Sequence, residues 1–228
     1  MTARAPASIG GILFDVDGTL VDSTFVHTVC WWQAFRQQGI DAPMARIHRA
    51  IGMGSDKLIG QVLGGTDGVD EDALAAGHDA LYATYWPALR PLPGAREVLR
   101  ACAEAGLRTV LASSAAEREL TVLRRVLDAD EWLHAATSSA EAEASKPAPD
   151  IVEVALRKAG LQPSEAVFVG DAVWDVRAGT ALGVACIGLE CGGTSAAELR
   201  EAGAFATYAD PADLLSHSAE LPFLGARS

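Results

Sequence analysis

Long uncharged runs are missing from this sequence. The longest stretch free of Asp, Glu, Lys and Arg is Ser23–Phe35, 13 residues that include His27. A membrane-spanning helix needs about 20 mostly apolar residues, so none is expected. Met1–Ser8 is too short and lacks the apolar centre of a secretory signal. Positive charge is also scarce, with 18 Lys plus Arg against 30 Asp plus Glu and a net charge of −12. A general nucleic-acid binder needs a basic footprint, and anionic bilayers repel an acidic surface, so neither partner is expected. Cysteine is sparse: Cys30, Cys102, Cys186 and Cys191 form no C-x-x-C pair. They read as small buried hydrophobes in a reduced, cytoplasmic protein without a disulfide framework or structural zinc. No repeat is visible, and no G-x-x-x-x-G-K, G-x-S-x-G or H-E-x-x-H signature.

Apolar residues are plentiful, making up 50% of the 228 residues. That supports a real core, and at roughly 150 residues per domain the length suggests one domain, or one domain carrying an insertion. Four short apolar runs end at polar residues: Ile9–Phe14, Leu107–Ala112, Ala166–Val169 and Val184–Leu189. Their β-branched content suits strands buried on both faces of a parallel sheet. Between them lie helical patterns at Gly94–Ala105, Ala116–Leu127, Pro149–Ala159 and Val173–Leu182, several stopped by glycine. This alternation predicts an α/β fold with a Rossmann-like parallel sheet. Residues from about 22 to 88 break it. They read as helices at Ser23–Gln38, Ala42–Ala50, Ser55–Leu63 and Asp70–Leu89, an all-helical insertion whose exits near Asp22 and Pro87–Pro93 form two hinges.

Ligands of open α/β sheets bind beyond the carboxyl ends of the strands. The polar residues there are Asp15 and Asp17, Ser113, Lys146 in a loop before a later helix, and Asp171 and Asp175. Asp15-x-Asp17-Gly18-Thr19 puts two carboxylates and several backbone N–H groups in one tight loop. By itself it also reads as an ordinary polar turn. Gly170-Asp171-x-x-x-Asp175 adds two more acids, the second a helical turn inside the next helix. Four converging acids repel unless a cation joins them, and oxygen-only ligands favour Mg²⁺ over zinc.

The ordered set of motifs resembles the haloacid-dehalogenase-like superfamily. Phe14-Asp15-Val16-Asp17-Gly18-Thr19-Leu20-Val21-Asp22-Ser23 looks like its first motif and Ser113 its second. Ser145-Lys146-Pro147-Ala148-Pro149-Asp150 looks like its third, and Val169-Gly170-Asp171-Ala172-Val173-Trp174-Asp175 its fourth. The resemblance implies a core domain of residues 1–21 and 89–228 with a helical cap domain at 22–88. It implies that Asp15 is the nucleophile forming an aspartyl-phosphate and that Asp17 is the acid and base. Asp15, Asp171, Asp175 and the Asp17 carbonyl would hold Mg²⁺. Lys146 would offset charge, since like unit charges about 4 Å apart cost roughly 4 kcal/mol at an effective dielectric of 20. Ser113, the Ser114 N–H, Gly18 and Thr19 would surround the phosphoryl group.

An acid at Asp17 sets this chain apart from the dehalogenases, phosphonate-cleaving members and pumps that the resemblance otherwise includes. A phosphatase acting on a small phosphorylated metabolite, of the sugar phosphate or phosphoglycolate type, is the expected function. A β-phosphoglucomutase-like phosphomutase and a non-catalytic binder of phosphometabolites are the alternatives. Ile51–Lys57 resembles the specificity loop of both enzyme groups. Mutases commonly carry arginine there, whereas this loop has Ser55 and Lys57. Gly54 and Lys57 of that loop are candidate substrate contacts. So are His27 and Trp31, which share a face of the first inserted helix with Thr24 and Thr28. The expected assembly is a monomer or small homo-oligomer.

Overall fold

The computed structural model describes residues 9–142 and 144–221; the Met1–Ser8 reading lies outside them. Six strands form one parallel sheet: β1 (Gly11–Phe14), β2 (Arg108–Ala112), β3 (Ala135–Thr137), β4 (Ala166–Gly170), β5 (Ala185–Leu189) and β6 (Ala206–Tyr208). Their order across the sheet is β3-β2-β1-β4-β5-β6. The chain builds outward one way from β1, then returns to lay β4 on its other side. That reversal opens a crevice at the carboxyl ends of β1 and β4.

Alternation along each strand divides the core in two. Ile12 and Phe14 of β1 and Val167 and Val169 of β4 pack in one apolar cluster, and Leu13 and Phe168 in the other. The first face is covered by α5 (Ala95–Glu104), α6 (Glu117–Leu127) and α10 (Pro211–Ser216). The second is covered by α7 (Asp150–Ala159), α8 (Val173–Ala181) and α9 (Ala196–Ala202). In α6 the i, i+3, i+7 residues Leu120, Leu123 and Leu127 are the buried ones, and each such side chain contributes about 1.5–3 kcal/mol.

Between β1 and β2 lie α1 (Thr24–Gln37), α2 (Met44–His48), α3 (Ser55–Leu63) and α4 (Glu71–Ala83). Trp31, Phe35, Ile47, Leu58, Val62 and Leu74 form a third cluster of their own. The two connections to the sheet are bonded to each other: Asp22 N donates to Arg90 O at 3.0 Å and Leu92 N to Leu20 O at 2.9 Å. The expected last helix is shorter than its pattern. Asp70 caps α4 by accepting from Ala73 N, and the chain beyond Ala83 passes into a short 3-10 turn at Trp86–Ala88, where Pro87 removes a helical donor. The strands β3 and β6 and the helices α9 and α10 were not foreseen. Both strands have three residues at sheet edges, and β6 is only half-buried, so neither needs an apolar run. Among the described residues no helix is long and apolar enough to cross a membrane.

Candidate active site

The end of β1 sets the site. Asp15 N donates to Val169 O at 2.9 Å, tying the residue after β1 to β4. The chain then turns on itself, with Leu20 N and Val21 N both donating to Val16 O and Gly18 N to Val21 O. Gly18 has φ +79, a left-handed conformation that suits glycine, and a Cβ there would run into the Thr24 hydroxyl and the Asp171 carboxylate. Gly192, after β5, closes on Asp171 from the other side in the same way. Thr19 Oγ1 donates to Asp171 Oδ1 at 2.8 Å and fixes its carboxylate.

Lys146 reaches the same point from the loop before α7. Its side chain is 0% exposed, with Nζ 2.5 Å from Asp15 Oδ1 and 2.7 Å from Asp175 Oδ1. The second Asp175 oxygen accepts from Ala172 N at 3.0 Å, in the first turn of α8. Burial alone would lower the Lys146 ammonium, but the charges of Asp15 and Asp175 hold it above the ordinary lysine range. Asp15 is pushed up to about 7, first by burial and then by Asp175 and Asp17, against the opposing pull of Lys146. Asp171 lies well above the usual carboxylate range, through burial and the charges of Asp175 and Asp15.

Oxygens of Asp15, Asp171 and Asp175 lie within 4.8 Å of one another. With all three buried carboxylates ionised, one ammonium would leave two negative charges uncompensated, and burial with that excess is why Asp15 and Asp171 are raised without a further cation. A divalent cation balances that count, and an all-oxygen donor set suits a hard ion such as Mg²⁺. These residues therefore fit the metal that the sequence implied.

Asp17 faces the opposite way, into a cavity of about 200 Å³. Its Oδ1 accepts from Ser23 Oγ at 2.6 Å and from Tyr82 OH at 3.4 Å, and meets His27 Nε2 at 3.2 Å. Burial would raise this carboxyl, but the hydrogen bond and charge of His27, with the Ser23 hydroxyl, hold it below the usual range. His27 Nδ1 meets His78 Nε2 at 3.0 Å, and His78 Nδ1 meets Asp79 Oδ1 at 2.9 Å. Glu119 Oε1 lies 3.5 Å from His27 Nε2, and burial, then Asp17, pushes its carboxyl up to about 8. Asp17, His27 and Glu119 are a second set with metal-ligand proximity. Burial would lower His27, but Asp17 and then Glu119 raise it, so its own charge serves as their counter-ion.

The expected site residues fall into three groups. Asp15, Asp17, His27, Trp31, Gly54 and Ser114 line the cavity. Asp171, Asp175, Lys146, Gly18, Thr19 and Ser113 are buried. Ser113 Oγ accepts from Ala115 N at 3.0 Å and shapes the turn after β2. The buried Ser114 Oγ has no partner among the described residues, so a bound oxygen would satisfy it. Lys57 forms the third group alone: it does not line the cavity, and its ammonium is held on the carbonyl of Ser145, which does.

Glu119, His78, Asp79, Ser23 and Gly192 were missed. Glu119 in the first turn of α6 reads locally as an ordinary macrodipole charge. Its signal lies in topology: α6 follows β2, so its first turn must sit over the crevice. Three cysteines are buried, but Cys191 is half-buried and its Sγ meets Gly18 O at 3.1 Å, so it also braces the turn beneath the site. Polar contacts join the inserted helices to the rest. His48 Nε2 meets Gly192 O at 2.9 Å, Trp174 Nε1 donates to Arg49 O at 3.0 Å, Ser145 Oγ donates to Asp56 Oδ1 at 2.5 Å, and Arg49 pairs with Glu198.

Residues 9–183 match the haloacid dehalogenase-like hydrolase family. A phosphoglycolate phosphatase of Pseudomonas putida is 29% identical over 188 residues, covering 79% of this chain and 69% of that protein. A hydrolase of Pseudomonas syringae superposes with a TM-score of 0.87 at 31% identity, covering 92% of this chain and 98% of that one. A beta-phosphoglucomutase of Clostridium difficile shares the fold, with a TM-score of 0.80 at 16% identity over 94% of this chain and 97% of that one.

Proposed function

Because the chain belongs to the haloacid dehalogenase-like hydrolase family, we propose that it is a Mg²⁺-dependent phosphatase acting on a small phosphorylated metabolite through an aspartyl-phosphate. The observation that carries this reading is the buried arrangement of Asp15, Lys146 and Asp175, with contacts of 2.5 and 2.7 Å, beside Asp171. It binds an anion only when a cation completes it, and it leaves Asp15 at the cavity wall. A relative named phosphoglycolate phosphatase supports a phosphomonoester as the substrate class.

An Asp15 carboxylate oxygen attacks phosphorus, the bond from phosphorus to the leaving oxygen breaks, and Asp17 gives that oxygen a proton that it takes from His27, whose Nε2 faces it at 3.2 Å. Water then attacks phosphorus and returns a proton to Asp17, the Asp15 oxygen–phosphorus bond breaks, and inorganic phosphate leaves. Lys146 holds Asp15 in line and offsets incoming negative charge. Ser114 takes a phosphoryl oxygen. Asp15, Asp171 and Asp175 would hold Mg²⁺, which when bound neutralises charge on the phosphoryl oxygens. Residues 22–88 act as a cap that shuts bulk water out during transfer.

The test is phosphate release from a panel of phosphomonoesters with Mg²⁺, alongside Asp15→Asn. Wild-type release that chelation abolishes and Asp15→Asn lacks is expected. Release that persists undiminished in Asp15→Asn sinks the mechanism. Interconversion of sugar phosphates without net phosphate release replaces phosphatase with mutase.

A further inference from the structure

The two ends of the cavity differ in charge. Its floor holds Asp15, with Lys146 and the cation-demanding acids behind it. Its far wall is built by α1, α3, α4 and α6 from Trp31, Asp56, His78, Asp79 and Glu119. Three of those five residues are carboxylic acids. Among the described residues, no lysine or arginine lines the cavity.

The cations within reach of it already have partners, Lys57 on the backbone of a lining residue. The chain has three lysines. Lys146 lies under the floor, Lys57 is on the Ser145 carbonyl, and Lys158 pairs with Glu141. Arg118, next to Glu119 in the chain, lies over the Trp86 ring at 4.9 Å. Arg46 and Arg49 line a separate groove with Glu198 and Glu201. His27 is the one wall group that carries positive charge. Its Nε2 already faces Asp17 at 3.2 Å and Glu119 at 3.5 Å, and its Nδ1 meets His78. A second anionic group on the substrate, such as a carboxylate or second phosphate, would find no free cation and several acids. An ammonium group would find Asp79 and Glu119, whose carboxyl, pushed up to about 8 by burial and Asp17, gives up its proton as a cation arrives beside it. The cavity, at about 200 Å³, is smaller than the roughly 300–1,000 Å³ that holds a drug-sized ligand. The leaving group is therefore small.

We propose that the substrate is the phosphomonoester of a small amino alcohol, with the phosphoryl group on the Asp15 floor and the ammonium at the Glu119–Asp79 wall. Water and the ester yield inorganic phosphate and the free amino alcohol, with no other reactant. This rests on the phosphatase reading.

The experiment measures kcat/KM with Mg²⁺ for p-nitrophenyl phosphate, O-phosphoethanolamine, glycerol 3-phosphate and 2-phosphoglycolate. Phosphoethanolamine should exceed phosphoglycolate by about tenfold or more, with glycerol 3-phosphate between them. Glu119→Gln should narrow that ratio. Should Glu119→Gln fail to fold, Asp79→Asn gives the same readout, since the Asp79 side chain is 71% exposed. A phosphoglycolate value equal to or above that of phosphoethanolamine overturns the proposal. So does a ratio that the variant leaves unchanged, or no release from phosphoethanolamine where p-nitrophenyl phosphate is hydrolysed. No release from any of the four overturns the phosphatase reading itself.

Discussion

Replacing Lys146 by methionine keeps most of the buried stem and removes the charge. The ammonium sits 2.5 Å from Asp15 Oδ1 and 2.7 Å from Asp175 Oδ1. At an effective dielectric of 20, each contact is worth about 6 kcal/mol in Coulomb energy. Desolvation of the buried groups cancels much of that, and breaking such a cluster by removing one partner costs about 3–5 kcal/mol. For a chain of this size, roughly 2–4 °C per kcal/mol translates the loss into a melting temperature lower by about 6–20 °C. The penalty must depend on pH. Without the ammonium, Asp15 has a folded-state pKa further above its unfolded one. Such a group contributes stability below its unfolded pKa and loses that contribution as pH rises through the folded value. Asp15 is already near 7 with Lys146 in place, so in Lys146→Met it is protonated at pH 5 and charged only at higher pH. Thermal melts followed by circular dichroism, in chelator, should show a larger deficit at pH 8 than at pH 5. Equal deficits at both would mean that Lys146 matters for packing alone and would refute the charge argument. Phosphate release should fall by about 100-fold or more in the same variant.

Two further outcomes follow from the geometry. Mg²⁺ at about 100 times its dissociation constant should stabilise the wild type by about 2.7 kcal/mol, raising the melting temperature by roughly 5–10 °C. Asp171→Asn should lose most of that increment, and a wild type insensitive to Mg²⁺ by calorimetry would remove the metal assignment. Gly18→Ala should cost at least about 1–2 kcal/mol in denaturant unfolding, because φ is +79 and the new methyl meets Thr24 and Asp171. An Ala variant as stable as wild type would show that the turn can shift aside.

What could be read from the sequence was whatever the strand ends fix. Asp15, Asp17, Ser113 and Asp171 follow buried runs directly, so locating a strand located them. Asp175 follows because one helical turn from Asp171 returns to the same side. The sheet and inserted helices were legible for the same reason: long apolar periods survive in the local pattern. Glu119, His78 and Asp79 were not legible. They project from helices whose faces are chosen by packing, and nothing within a few residues tells a cavity-lining acid from a solvated one. Lys57 shows the converse. A cation next to the cavity suggested a substrate contact, but the Ser145 carbonyl takes its ammonium as well as Ala148 N. The edge strands β3 and β6 borrow their hydrogen bonds from longer neighbours and carry little signal of their own.

The inserted helices have an apolar cluster of their own, and the chain enters and leaves them at two points joined by hydrogen bonds of 2.9 and 3.0 Å. A foreign helical segment whose ends meet could be spliced across that junction without lengthening either connection. A replacement would also have to fill the places of Cys30 and Tyr82, which the inserted helices bury in the sheet's own cluster. Such an exchange would leave Asp15, Lys146, Asp171 and Asp175 in place while replacing His27 and Tyr82, which hold Asp17.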